Sequence, residues 1–164
     1  ALGLIDRLPQ MAVVQAAGAN PLYTAWTQGT DVSPVRADTI ATAIKIGAPV
    51  SWRKSLRGIK ALDGVVTEVT DQQIMDAKAL VDAAGIGAEP ASCATVAGAQ
   101  RLVAEGVIPH GARVVGVLTG HLLKDPDVVV GYHTGKLASI QSTLANAPIS
   151  APADIASIKL LLND

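Results

Sequence analysis

Thr119, Glu89 and His121 are the side chains whose types and positions best suit contact with a small molecule. Thr119 ends the run Val114-Val115-Gly116-Val117-Leu118. A run of that kind predicts a parallel strand over residues 113–118, buried because helices cover both of its faces. Ligands of open α/β sheets sit beyond the carboxyl ends of strands. The Thr119 hydroxyl would then meet a ligand as a neutral donor and acceptor, suited to a ring nitrogen that must stay weakly basic. Glu89 stands just before Pro90 at the start of a long helix, where a carboxylate either favours the helix dipole or faces the same ligand. His121 follows in the turn after Thr119. It either stabilises that turn or adds an imidazole to the site.

Other chemistries are poorly supplied. His110, His121 and His133 lack metal-ligand spacing and no Cys-x-x-Cys occurs, so no metal site is expected. Cys93 is the one cysteine, which excludes a disulfide within the chain and fits a reducing, cytoplasmic setting. It lies among small residues with no basic neighbour and reads as a buried structural thiol. There is no glycine-rich phosphate fingerprint and no Gly-x-Ser-x-Gly elbow. The residues alone supply one wall of a pocket, without a complete catalytic set.

The elements that must position this wall follow from patterning. Residues 11–16 and 65–69 read as strands. Helices are predicted over 21–28, with Asn20 as N-cap, and over 39–46 and 51–62. Thr70 with Gln73 forms a capping-box pattern, and Ile74, Ala77, Leu80 and Val81 give the helix that follows an apolar face. Pro90 opens a helix through about residue 105, and the strand 113–118 comes next. Further helices are predicted over 136–145 and 153–162, the second an arm able to pack on another surface. Strands alternating with helices argue an α/β fold: a three-layer, open, mostly parallel sheet with helices on both faces.

Composition agrees. Of 164 residues, 49% are hydrophobic but only 2% aromatic, with no Phe, so the core must be built from Ala, Val, Ile and Leu. A formal net charge of −1 gives no electrostatic footprint for nucleic acid. Arg53, Lys54, Arg57 and Lys60 form one solvated helix face. No apolar run reaches the roughly 18 residues of a membrane span. Neither nucleic acid nor a membrane is expected as a partner.

Several separated motifs, in order, resemble the threonine synthase family, pyridoxal-phosphate enzymes of the tryptophan-synthase-β-like fold (fold type II). They are Gly18-Ala19-Asn20-Pro21-Leu22, residues 39–47, Pro49-Val50-Ser51-Trp52, Gly87-Ala88-Glu89-Pro90-Ala91-Ser92, and Val114 through Thr119-Gly120-His121 to Lys124-Asp125-Pro126-Asp127. The resemblance covers about residues 1–135. It implies that these form the C-terminal part of a catalytic domain, with 136–164 as a helical extension.

The resemblance also implies a reaction, the conversion of O-phosphohomoserine and water to threonine and phosphate with pyridoxal 5'-phosphate. A threonine at the position of Thr119 would bond the pyridine nitrogen. Glu89 and the small residues around Ala43 would line the cofactor pocket. The family's Schiff-base lysine and phosphate-cradling loop belong to an N-terminal half not represented here. No catalytic residue is therefore assigned, and Lys124 and Lys54 read as surface or supporting charges. The missing half and a second copy, giving a homodimer, are the implied protein partners. Leu122 departs from the family's usual glycine and could crowd the turn. A related pyridoxal-phosphate lyase, threonine dehydratase-like or cysteate synthase-like, and a non-catalytic α/β module are the alternatives.

Overall fold

Two short β-branched runs pair in parallel at the centre of the molecule. In the computed structural model, which describes residues 3–162, β1 (Ala12–Ala16) lies beside β2 (Val65–Val69), with Ala12 opposite Val65 and Ala16 opposite Val69. The helices are α1 (Pro21–Gln28), α2 (Trp52–Ala61), α3 (Asp71–Ala83), α4 (Pro90–Ala104), α5 (Pro126–His133) and α6 (Ile155–Leu161).

Alternation along the strands divides the core. Val14, Ala16 and Val69 face α3 and α4, where Ile74, Ala77, Cys93, Ala94 and Ala97 pack. Val13 and Val66 face the other way, onto Leu22, Ile59 and Trp26 of α1 and α2. The fold is α/β with a parallel sheet and helices on both faces, as the sequence implies. Ile59 and Ile74 are fully buried, each contributing roughly 1.5–3 kcal/mol relative to exposure. The small residues matter on the α4 side. A Cβ at Gly98 would collide with the Val14 side chain, so the bare backbone there lets α4 lie close on β1.

Strand side chains also fasten α1. Gln15 Oε1 accepts the Leu22 and Tyr23 amides at 2.8 and 2.9 Å. Asn20, expected to cap this helix, makes no cap bond; its Nδ2 donates instead to Glu68 Oε2 at 2.5 Å. The Thr70–Gln73 capping box forms in full at α3.

Three predicted elements are absent, each for a local reason. Residues 113–118 run extended but join no ladder, and Val114, Val115 and Val117 are exposed. A parallel strand needs a bonded neighbour, and none lies beside this run among the described residues. Only Leu118 packs against the core. Thr119 therefore does not end a buried strand.

Residues 39–46 form a single tight turn, Thr42–Ile44, in place of a helix. Five of the eight are β-branched. Asp71 captures the Thr39 hydroxyl and the Ile40 amide at 2.5 and 3.1 Å. Residues 136–145 are also non-helical, because side chains take their backbone groups. The Gln72 amide bonds both N–H and C=O of Gln141 at 2.7 and 2.8 Å. Tyr132 Oη accepts the Leu144 amide at 3.2 Å and donates to Asp76 at 2.6 Å. Helix α5 has no counterpart among the predicted elements, although Asp125-Pro126 is a start signal. Among the described residues, no helix is long and apolar enough to cross a membrane.

Thr70→Ala removes the hydroxyl that accepts the Gln73 amide. It is expected to lower stability by about 1 kcal/mol, read as a lower midpoint in urea denaturation with an unchanged slope.

Candidate cofactor site

Three segments distant in sequence meet at the start of α4: its first turn, the loop 119–125 and the turn Thr42–Ile44. Ser92, only 3% exposed, is the junction. Its Oγ accepts the Thr119 amide at 3.1 Å and the Gly120 amide at 2.9 Å. The Glu89 amide returns a bond to the Gly120 carbonyl at 3.0 Å. A Cβ at Gly120 would overlap the Glu89 carboxylate, so only glycine allows this approach. These bonds place Thr119, in the absence of a strand ladder. Its side chain is exposed, and its Oγ1 lies 3.4 Å from Ser92 Oγ.

Glu89 is 3% exposed. Its Oε1 is 3.4 Å from Ser92 Oγ. Its Oε2 lies 3.1 Å from Lys124 Nζ, outside hydrogen-bond geometry, and accepts no hydrogen bond. A buried carboxylate requires a counter-charge, and Lys124, itself 59% exposed, supplies it. One carboxylate oxygen is thus buried, ion-paired and still open to a donor.

Asp125 adopts a left-handed backbone at φ 53°. Its carboxylate accepts the Thr42 hydroxyl at 2.9 and 2.7 Å, tying the turn that contains Ala43 to the loop. His121 Nδ1 accepts the Leu123 amide at 3.2 Å, which gives it a turn-holding role. Leu122 folds over Gly87. His110 is exposed, and His133 accepts the Asn146 amide at 2.9 Å. No cluster of His, Cys, Asp or Glu among the described residues could hold a metal.

The structure thus gathers Thr119 and Glu89, the two residues singled out by sequence, around Ser92, which sequence reasoning misses. Lys124 joins them as the supporting charge of Glu89. No local pattern points from residue 92 to residue 119. The one signal is composition, a hydroxyl in the first turn of a helix next to a glutamate. The donor set fits one edge of a nitrogen heterocycle: a neutral exposed hydroxyl, backed by a buried carboxylate. Both are compatible with pyridoxal phosphate.

With that geometry in view, the family follows. The chain belongs to the pyridoxal-phosphate dependent enzyme family, whose pattern matches residues 1–120. It is similar to threonine synthases. The relative from Methanosarcina acetivorans is 46% identical over 79% of this chain and 33% of that protein. The relative from Methanocaldococcus jannaschii is 44% identical over 78% and 32%. The Arabidopsis thaliana protein named threonine synthase 2, chloroplastic, is 36% identical over 99% and 32%. The chain spans about a third of the length of these relatives. A crystal structure of a threonine deaminase from T.th. aligns over 67% of this chain and 39% of its own, with TM-score 0.48 and 18% identity.

Cys93 is buried, as its neighbours in sequence suggest, and burial pushes its thiol up to about 11. It should resist alkylation by iodoacetamide at pH 8 in the folded chain and react readily in urea. Fast labelling of the native chain would contradict this burial.

Proposed function

We propose that this chain is the C-terminal part of a threonine synthase, acting on O-phosphohomoserine and water to give L-threonine and phosphate. The observation that carries the reading is the exposed Thr119 hydroxyl, beside Ser92, which binds the Thr119 and Gly120 amides, in a chain similar to threonine synthases. When bound, pyridoxal phosphate supplies an electron sink for charge developing on substrate carbons. Thr119 holds its hydroxyl at the ring nitrogen as a neutral partner, and Glu89 lines the same edge. Lys124 holds Glu89 in place through the ion pair at 3.1 Å.

The reaction class is a carbon–oxygen lyase acting on phosphates, and the chain alone is inactive. The rest of the enzyme brings the Schiff-base lysine and the cradle for the cofactor phosphate. Two surface features support a further body of protein beside this one. Val114, Val115 and Val117 are 50%, 81% and 67% exposed. An open apolar groove of about 490 Å³ runs along α4 between Val96, Val103 and His110. Residues 1–135 are read as the catalytic part and 136–164 as an extension, anchored through Gln72 and Tyr132. The intact enzyme is read as a homodimer of the cytoplasm.

Co-expression with the complementary N-terminal part is expected to give a yellow complex that releases phosphate from O-phosphohomoserine. Release of ammonia from threonine instead would favour a dehydratase-like lyase, and a colourless, inactive complex would favour a non-catalytic module. Borohydride reduction of this chain alone with pyridoxal phosphate should label no lysine; a labelled Lys124 would overturn the assignment. In the complex, Thr119→Val is expected to weaken cofactor binding by about 1–3 kcal/mol, measured by fluorescence titration.

A further inference from the structure

The Ser92 oxygen is already full as an acceptor. A hydroxyl has one proton and two lone pairs. Both lone pairs of Ser92 Oγ take backbone N–H groups, from Thr119 at 3.1 Å and Gly120 at 2.9 Å. Its proton has two acceptors in reach, Glu89 Oε1 and Thr119 Oγ1, each at 3.4 Å. On this count Thr119 cannot donate to Ser92. Among the described residues, Thr119 Oγ1 has no other hydrogen-bond partner. Its proton is left to point outward, into the cleft.

We infer that Ser92 is a positioning residue for Thr119: it pins the Thr119 backbone and, being full as an acceptor, leaves the Thr119 proton available to the ligand. The inference rests on the cofactor reading above and sharpens it. With that proton unused by Ser92, the Thr119 hydroxyl is able to donate to a ligand atom bearing a free lone pair, such as an unprotonated ring nitrogen. The burial of Ser92 matters here, since water does not compete for an oxygen that is 3% exposed. Its companion Glu89 reinforces the arrangement by offering a second acceptor for the Ser92 proton. That leaves Thr119 free of it as well.

The test is a double-mutant cycle in the co-expressed complex, read by cofactor dissociation constant and by absorbance of the bound cofactor. Ser92→Ala is expected to weaken cofactor binding about tenfold and to shift the absorbance to that of Thr119→Val. Adding it to Thr119→Val should change neither reading further, because both variants remove the same bond. Hydrogen exchange of the Thr119 and Gly120 amides should speed up in Ser92→Ala, a readout that needs no cofactor. Ser92→Cys keeps the shape with a weak acceptor, and it serves if the alanine variant fails to fold. It should resemble alanine. If Thr119→Val binds cofactor as the native complex does, the functional reading itself fails. If Thr119→Val weakens binding but Ser92→Ala adds its full effect on top, or Ser92→Cys is native-like, the positioning role is wrong while the functional reading stands.

Discussion

Everything at the candidate site depends on two backbone amides bound by one buried hydroxyl. The Thr119 and Gly120 N–H groups would lie unbonded at the end of a segment without a ladder; Ser92 gives them partners and pins that segment to α4. The constraint extends outward. Gly120 must be bare to pass the Glu89 carboxylate. Glu89 in turn needs Lys124, on the same loop as Gly120. Asp125 then ties that loop to Thr42. A short chain of polar contacts thus assembles three segments that share no sheet.

The rest of the fold serves to place the first turn of α4. That helix rests on β1 through Gly98 and shares with α3 a core of small residues that includes Ala77, Ala94 and Ala97. Cys93, in the same turn region, is fully buried. A core without Phe has little bulk with which to wedge elements together. Close approach of backbones replaces it, and small residues are what allow that.

Where local chemistry decides the outcome, the sequence is legible. The Thr70–Gln73 box, the Pro21 and Pro90 starts and the strand 65–69 all form as their residues suggest. Where a distant side chain decides, it is not. Asp71 turns residues 39–40 aside from a helix, and Gln72 does the same to residue 141, across sequence distances of 31 and 69. The apolar run 113–118 suggests a strand by its own composition, but a strand is a property of a pair. At the site, Thr119 and Glu89 stand out by position and type. Ser92 does not, because its role comes from a contact 27 residues away.

The central sheet has a consequence of its own. With β1 and β2 bonded only to each other among the described residues, the sheet's outer edges have no ladder partner there; Arg101 takes the Glu68 carbonyl, and unpaired edge groups are a template on which an extended peptide can build. Handled in isolation, the chain would tend to grow into β-rich aggregates as concentration rises. Capping those borders with a rigid strand would do more for its solubility than adding surface charge.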